Sequence, residues 1–274
     1  MTYAELCGRL ERAECDDWAW DAALLLEHFC GADRSSVHID PQREYGGEAL
    51  ESAVSRREAH EPLQYILGEW EFYRQRYEVS PDCLIPRQDT ELLVEEAILR
   101  IPTDGFFADL CTGSGCIAVS TLAERADLRA LAIELSECAL AIAGRNAARN
   151  GVSDRFCAER GDVLTLSQEL MERYPKPDAI LSNPPYIRTE VLETLSDEVK
   201  KEPMMALDGG ADGMLFYRAL VALAEKWLAP NGFCLFEIGY DQGEEIMALA
   251  RESGFRCTVK KDLGGNDRVA YLWR

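Results

Sequence analysis

Residues 106–115 read FFADLCTGSG, and they decide the fold because an apolar run ends in a Gly-X-Gly turn that leads directly into a helical pattern at 116–124. A strand, a tight glycine turn and a helix in this order are typical of a doubly wound α/β sheet. Gly113 and Gly115 allow the turn and let a ligand approach the backbone, and the loop amides can hold a carboxylate or phosphate. Alone the motif is weak, since Gly-X-Gly also occurs in many nucleotide-binding proteins and in plain turns.

The chain after Pro86 alternates short apolar runs with longer amphipathic segments. The predicted strands are 106–111, 129–135, 155–160, 179–182, 232–238, 256–260 and 268–273, and the predicted helices include 116–124, 136–150 and 213–228. This alternation predicts a mostly parallel sheet with helices on both faces, whose last two strands pair antiparallel at an edge. Ligands of such sheets bind at the carboxyl ends of the strands, near the switch point in strand order.

The first 68 residues are predicted to be a small all-helical domain, because apolar residues recur at helical spacing in 3–14 and 18–30. A charged segment at 48–60 predicts a third, solvated helix. Aromatic and charged residues interleave from 69 to 80, so we expect a hairpin linker over 69–85 and a second domain over 86–274. We expect the helical domain to dock a protein substrate, with a passive stabilising role as the alternative.

The composition restricts the possible partners. The chain has 274 residues with 49 acidic and 29 basic side chains, and its net charge of −20 opposes docking on a phosphate backbone. It has no basic or apolar leader and no run near the ~18 apolar residues of a membrane helix, so we expect a cytoplasmic protein without a membrane partner. The ten cysteines form no CxxC pair, and the three histidines lie far from any cysteine cluster, so no metal site is expected. We also expect a monomer.

Two more strand ends carry carboxylates. Glu134 ends the second strand, where it could accept both ribose hydroxyl protons or simply be a solvated acid. Asp162, between Gly161 and Val163, could accept from an adenine amino group or cap a helix. Together with the glycine loop they predict a pocket for a nucleoside with a small polar tail. A dinucleotide and S-adenosylmethionine both fit, although a dinucleotide site would carry GxGxxG.

The fourth strand ends in SNPPY at 182–186, which is the most specific signal in the chain. Two prolines remove two amide donors and stiffen the backbone. The Asn183 side chain and the Pro184 carbonyl then form two adjacent acceptors, which suit a planar NH₂ group that Tyr186 could cover. The alternative is a proline-rich turn at a strand end. The motif favours S-adenosylmethionine over a dinucleotide.

The NPPY motif, together with DLCTGSG at 109–115, resembles S-adenosylmethionine-dependent methyltransferases that act on planar NH₂ groups. Within them the chain is most similar to the protein-glutamine N5-methyltransferases of the HemK/PrmC family. Further segments agree with this family, namely LIPRQDTE at 84–91, EP at 202–203, ALDGGADG at 206–213, EIG at 237–239 and DLGGNDRV at 262–269. The resemblance implies a seven-stranded, Rossmann-like class I methyltransferase domain behind the helical domain.

Three positions depart from the family pattern. Cys111 replaces a usual glycine, Gln88 a frequent proline and Glu134 a common aspartate. Glu134 keeps the carboxylate, and cysteine leaves the loop open if its φ is negative. Residues 84–91 are expected either to run over the cofactor or to begin a helix capped by Asp89 or Thr90. Glu237 and Arg268 are expected to be structural.

The resemblance implies methyl transfer from S-adenosylmethionine, which leaves S-adenosylhomocysteine, to the side-chain amide of the glutamine in the Gly-Gly-Gln motif of class I peptide chain release factors. The product would support translation termination. The expected catalytic residues are Asn183, Pro184 and Tyr186, and Pro185 joins them in binding substrate. The expected cofactor-binding residues are Asp109, Cys111, Thr112, Gly113, Ser114, Gly115, Glu134, Asp162, Val163 and Asn183.

Three alternatives remain open at this level. An adenine-N6 methyltransferase of DNA or RNA could use the same NPPY motif, because adenine also offers a planar NH₂ group. A glutamine methyltransferase of a ribosomal protein would share the catalytic motifs. A nucleoside-binding regulator without activity would require NPPY to be incidental.

Overall fold

The computed structural model describes all 274 residues, which form two compact units. One unit comprises Met1–Glu69 and Ser196–Lys201, and the other comprises Trp70–Leu195 and Glu202–Arg274. No helix combines the length and the apolar character needed to cross a bilayer.

The first unit is helical. Its helices are α1 (Tyr3–Arg12), α2 (Trp18–Cys30), α3 (Arg34–Ile39), α4 (Glu48–Glu58) and α5 (Leu63–Leu67). Thr2 begins α1 with a capping box, in which its side chain accepts from the Glu5 amide and Glu5 accepts from the Thr2 amide. Apolar side chains of α1, α2 and α4 are buried, and among them Arg57 of α4 forms an ion pair with Asp21 of α2 at 2.7 Å.

The second unit contains a two-stranded sheet and a seven-stranded sheet. The small sheet consists of β1 (Glu69–Phe72) and β2 (Gln75–Glu78). The strands of the large sheet are β3 (Phe106–Leu110), β4 (Arg129–Glu134), β5 (Phe156–Arg160), β6 (Ala179–Ser182), β7 (Phe233–Glu237), β8 (Arg256–Lys261) and β9 (Asp267–Trp273). Their order is β5-β4-β3-β6-β7-β9-β8, and all pairs are parallel except those of β9. The predicted α/β fold class is confirmed, and each strand end lies within one residue of its predicted position.

Helices cover both faces of the large sheet. They are α6 (Glu91–Arg100), α7 (Cys116–Glu124), α8 (Glu137–Arg149), α9 (Gln168–Glu172), α10 (Leu215–Trp227) and α11 (Gly243–Glu252). Alternate strand residues point to opposite faces. Accordingly, Leu110 and Phe236 join one buried cluster with Leu220 of α10, whereas Phe107 joins the other with Leu93 of α6. The apolar strands are buried on both sides, as parallel sheets require.

The strand order places the switch point beside β3. The chain runs from β3 to β4 on one side and later returns to β6 on the other side. In the β3–β6 pair, Leu110 lies opposite Ser182, so the two strands end at the same level. The glycine loop at 111–115 and the NPPY loop at 183–186 therefore open into one crevice, where sheets of this type bind their ligands.

Candidate active site

A cavity of about 310 Å³ lies at the switch point, within the size range of small-molecule sites. The loops that follow β3, β4, β5 and β6 all line it. A segment that we call the strap, residues 84–87, lines it as well, together with parts of 203–216. All these residues belong to the second unit, so one unit builds the whole cavity.

Hydrogen bonds to Asp109 fix the glycine loop. Its fully buried Oδ2 accepts from the Thr112 hydroxyl at 2.5 Å and from the Ala118 amide at 3.2 Å, and burial raises its pKa to about 7. Gly115 has a φ of +80°, and a Cβ there would lie 3.0 Å from the Ala143 Cβ. Asp109 and Gly115 do not line the cavity but shape the loop that does. Its lining members are Cys111, Thr112, Gly113 and Ser114.

Cys111 adopts a left-handed backbone with a φ of +60°, so the condition under which cysteine was expected to leave the loop open, a negative φ, is not met. The turn at this residue ends β3, and the next amide, that of Thr112, donates to the Ile133 carbonyl of β4 at 3.1 Å. A non-glycine residue in this conformation costs roughly 1–2 kcal/mol, because Cβ crowds the following carbonyl. The loop keeps its cavity-lining position but stores backbone strain.

This strain predicts an inverted order of stability for two variants of Cys111. Glycine normally destabilises a chain relative to alanine, by roughly 0.5–1 kcal/mol within helices or strands. We expect Cys111→Gly to be more stable than Cys111→Ala by about 1 kcal/mol, because both lack the sulfur and only alanine keeps the strained Cβ. Urea unfolding of the two variants measures the difference. An alanine variant as stable as the glycine variant would show that the backbone carries no strain here.

The carboxylate of Glu134 is fixed by three backbone amides. Oε2 accepts from Gly113 at 2.9 Å, and Oε1 accepts from Leu135 at 2.8 Å and from Ser136 at 3.0 Å. Glu134 lines the cavity, and its Oε2, which accepts from a single amide, keeps acceptor capacity for a ligand hydroxyl. The side chain is therefore neither a freely solvated acid nor mobile.

Asp162 does not cap a helix, which was one of its two predicted roles, because α9 begins at Gln168 with Ser167 as its cap. Its Oδ1 accepts from the Leu164 amide at 2.9 Å, which tightens the loop after β5. Together with Val163 and Leu164 it also lines the cavity. This wall offers one carboxylate and apolar side chains to a ligand.

Three thiols line the same cavity, those of Cys83, Cys111 and Cys116. None of them forms a disulfide. Burial raises the pKa of Cys83 to about 11, and it raises the pKa values of Cys111 and Cys116 further above their ordinary value. The thiols are therefore protonated at neutral pH.

The NPPY loop brings one polar side chain to the cavity. The Asn183 Nδ2 donates to the Thr90 hydroxyl at 3.2 Å, whereas its Oδ1 is buried and has no hydrogen-bond partner. Asn183 and Pro185 line the cavity, and Pro184 and Tyr186 do not. The Tyr186 hydroxyl lies 3.3 Å from the Glu237 Oε1, and the residue packs against the core. An unpartnered buried acceptor is unusual and calls for a ligand donor.

The NPPY loop is held by close backbone packing that the sequence did not indicate. A Cβ on Gly209 would lie 2.7 Å from the Tyr186 Cα, so only glycine allows this approach. The buried Gln242 side chain donates to the Tyr186 carbonyl at 3.0 Å and to the Gly213 carbonyl at 3.2 Å. These contacts fix the position of Asn183 from the side away from the cavity.

The strap is fixed by Glu202, to which the sequence assigned no role. The buried Glu202 carboxylate accepts from the Ile85 amide at 3.1 Å and pairs with Arg87. Residues 88–90 form a 3₁₀ turn before α6, with no side-chain cap from Thr90. Asp89 instead pairs with Arg268 at 3.0 Å, and Asp262 pairs with the same arginine at 3.1 Å.

Comparison with known proteins places the chain in a family. Residues 3–68 match the PrmC N-terminal domain, and residues 88–233 match the methyltransferase small domain. The release factor glutamine methyltransferase of Geobacter sulfurreducens is 40% identical over 267 residues, which cover 96% of this chain and 92% of that protein.

Two solved structures are also similar. A release factor-specific protein-(glutamine-N5) methyltransferase from Alicyclobacillus acidocaldarius is 36% identical and covers 72% of this chain and 99% of its own, with a TM-score of 0.45. The hMettl16 catalytic domain, solved with an RNA hairpin, is 16% identical and has a TM-score of 0.57. The match covers 82% of this chain and 81% of that domain. At this low identity the similarity shows the fold alone. On the identity and coverage of the Geobacter sulfurreducens relative and the two matching family models, the chain belongs to the release factor glutamine methyltransferase family.

Proposed function

We propose that this enzyme transfers a methyl group from S-adenosylmethionine to the side-chain amide nitrogen of the glutamine in the Gly-Gly-Gln motif of class I release factors. The observation that carries the proposal is the Asn183 Oδ1, a buried acceptor in the cavity without a protein partner. An amide NH₂ supplies the donor that this oxygen lacks.

The cavity suits S-adenosylmethionine on three counts. Glu134 presents a rigid carboxylate for the ribose hydroxyls. Asp162, Val163 and Leu164 offer an acceptor and apolar cover for the adenine. The loop from Cys111 to Gly115 can hold the amino-acid tail. When bound, the cofactor supplies an electrophilic methyl group on a sulfonium.

The protein's contribution to the reaction is orientation. An amide nitrogen is a poor nucleophile because its lone pair is delocalised into the carbonyl. In our proposal the Asn183 Oδ1 and the Pro184 carbonyl accept the two N–H hydrogens and turn the lone pair toward the reacting carbon. Well-oriented reactants can recover ~7–11 kcal/mol of barrier. No strong base is needed beforehand, since the nitrogen becomes acidic once it is methylated. Tyr186, held near Glu237, is proposed to contact the amide plane.

We further propose that the helical unit docks the release factor, since a protein substrate needs more surface than one pocket provides. The net charge of −20 supports a protein substrate over a nucleic acid. The decisive experiment incubates the purified protein with S-adenosylmethionine and a class I release factor. We expect the Gly-Gly-Gln peptide to gain the mass of one methylene group. Methylation of DNA or RNA, or of a ribosomal protein, in place of the release factor would overturn the proposal.

Removing the Glu134 carboxylate is expected to weaken cofactor binding. Hydrogen bonds to a charged group contribute about 1.5–3 kcal/mol, so we expect the Kd of Glu134→Ala for S-adenosylmethionine to rise roughly 10- to 150-fold. Isothermal titration calorimetry measures this change. The matched control is Glu137→Ala. The Glu137 carboxylate of the wild type is exposed, pairs with Arg160 and does not line the cavity. Equal Kd values for the two variants would exclude Glu134 from the cofactor site.

A further inference from the structure

A buried polar cluster surrounds Asn183, and three elements build it, one of which brings Thr90 into the lining of the cavity. Thr90 stands at the end of the 3₁₀ turn before α6, and Glu237 ends β7. Both residues are only 1% exposed. The Asn183 Nδ2 donates to the Thr90 hydroxyl at 3.2 Å, and the Tyr186 hydroxyl lies 3.3 Å from the Glu237 Oε1. Asn183 takes part in the proposed reaction. Thr90 has no role in it so far, and Glu237 enters only through its contact with Tyr186.

The hydroxyl of Thr90 has a single proton. If that proton points away from Asn183, the threonine oxygen faces the Asn183 Nδ2, and if it points toward Asn183, it favours the Asn183 Oδ1. To accept from Nδ2, the hydroxyl must give its own proton to another acceptor. The adjacent candidate is Glu237, whose Oε2 is buried and has no hydrogen-bond partner of its own. Glu237 interacts with the Thr90 hydroxyl, and a carboxylate at this place can take its proton, which would leave a lone pair of the threonine oxygen facing Asn183.

Burial disfavours the Glu237 carboxylate, and the neighbouring donors offset this effect only in part. Burial raises the pKa of Glu237 to about 7, and among the neighbours that oppose this shift the Thr90 hydroxyl acts most strongly, followed by Arg268 and Tyr186. Asp89 opposes the charged form but is itself paired with Arg268.

We propose that Thr90 and Glu237 are positioning residues, which fix the Asn183 amide so that Oδ1 and not Nδ2 faces the substrate nitrogen. This inference rests on the proposed function, since it concerns the acceptor that receives the glutamine amide. If the Asn183 amide were reversed, it would present two donors to a group that is also a donor. A flipped amide therefore opposes substrate binding in the reactive orientation.

Two variants of Thr90 test the inference. Thr90→Val replaces the hydroxyl by a methyl group of similar size, and Thr90→Ser keeps the hydroxyl and removes the methyl. We expect kcat for release-factor methylation to fall about 10²-fold in Thr90→Val, because misplacing a reacting group by about 1 Å has that effect. Thr90→Ser is expected to keep kcat within a few-fold of wild type. In both variants the Kd for S-adenosylmethionine stays near its wild-type value.

The pattern of losses distinguishes positioning from packing. Equal losses in the valine and serine variants, or an unchanged kcat in Thr90→Val, would overturn the role of Thr90. Glu237→Gln is expected to lower kcat about tenfold, since a neutral amide accepts the proton less strongly than a carboxylate. An unchanged kcat in this variant would overturn the role of Glu237. Urea unfolding of each variant verifies that the fold is retained.

The wild-type protein in the same assay separates this inference from the proposed function. If the wild type fails to methylate the release factor, the proposed function fails, and the positioning role fails with it. If the wild type is active and Thr90→Val equals it, only the positioning role is wrong.

Discussion

Replacing Asn183 by alanine is expected to lower kcat for release-factor methylation by at least about 10³-fold, the upper range for loss of one oriented polar group in an active site. The reason is that Oδ1 is the only acceptor side chain that the NPPY loop presents to the cavity, and it has no other partner. The Kd for S-adenosylmethionine is expected to stay close to wild type, because the carboxylates of Glu134 and Asp162 remain in place. Single-turnover methylation and calorimetry measure the two quantities separately.

The matched control for Asn183→Ala is Asn231→Ala, which makes the same change at an exposed turn before β7. We expect this control to retain full activity. If Asn183→Ala methylated the release factor at the wild-type rate in a single turnover, the amide would not orient the substrate. The proposal that the NPPY loop holds the reacting nitrogen would then be wrong.

Replacing Arg57 by alanine is expected to destabilise the helical unit by about 3–5 kcal/mol, because it leaves a buried carboxylate without its cation. The side chains of Arg57 and Asp21 are 3% and 6% exposed and lie 2.7 Å apart. Arg57 also pairs with Glu198 at 3.2 Å, so it connects α2, α4 and the segment Ser196–Lys201 within this unit. Urea unfolding followed by circular dichroism measures the loss.

The adjacent Arg56 provides a control for this prediction. Its pair with Glu61 is partly exposed, so Arg56→Ala is expected to cost less than about 1 kcal/mol. The double variant Arg57→Met with Asp21→Leu is expected to recover most of the stability, since it removes both buried charges together. A stability loss in the double variant as large as that in Arg57→Ala would assign the effect to packing and not to the unpaired charge.

The strands could be predicted from sequence because their burial pattern is local. All residues of β3, β6 and β7 are buried, so each of these strands is visible as an apolar run bounded by turns or polar residues. Other elements lack such a signal. The helices α3 and α5 have six and five residues, which is too short for a helical period to show. For α6 the sequence indicates only a possible helix start, at Asp89 or Thr90.

The candidate site could be predicted in part, for a related reason. The strand ends located Glu134, Asp162 and Asn183, because parallel strands present their carboxyl ends at one edge. The supporting contacts join residues far apart in the chain: Thr90 with Asn183, and Ile85 with Glu202. No local pattern encodes such pairs, since they depend on how the elements pack. The sign of φ at Cys111 has no local signal in the sequence, because it depends on how the loop leaves β3.

The three thiols of the cavity have a consequence for the enzyme's own integrity. A sulfonium methyl donor can alkylate a sulfur anion, and a thiolate is a far better nucleophile than an amide nitrogen. Cys83, Cys111 and Cys116 line the cavity proposed for such a donor. Because burial keeps all three protonated at neutral pH, the anion that would capture the methyl group is scarcely populated. The apolar walls of the cavity thus keep these thiols in the form that does not capture a methyl group.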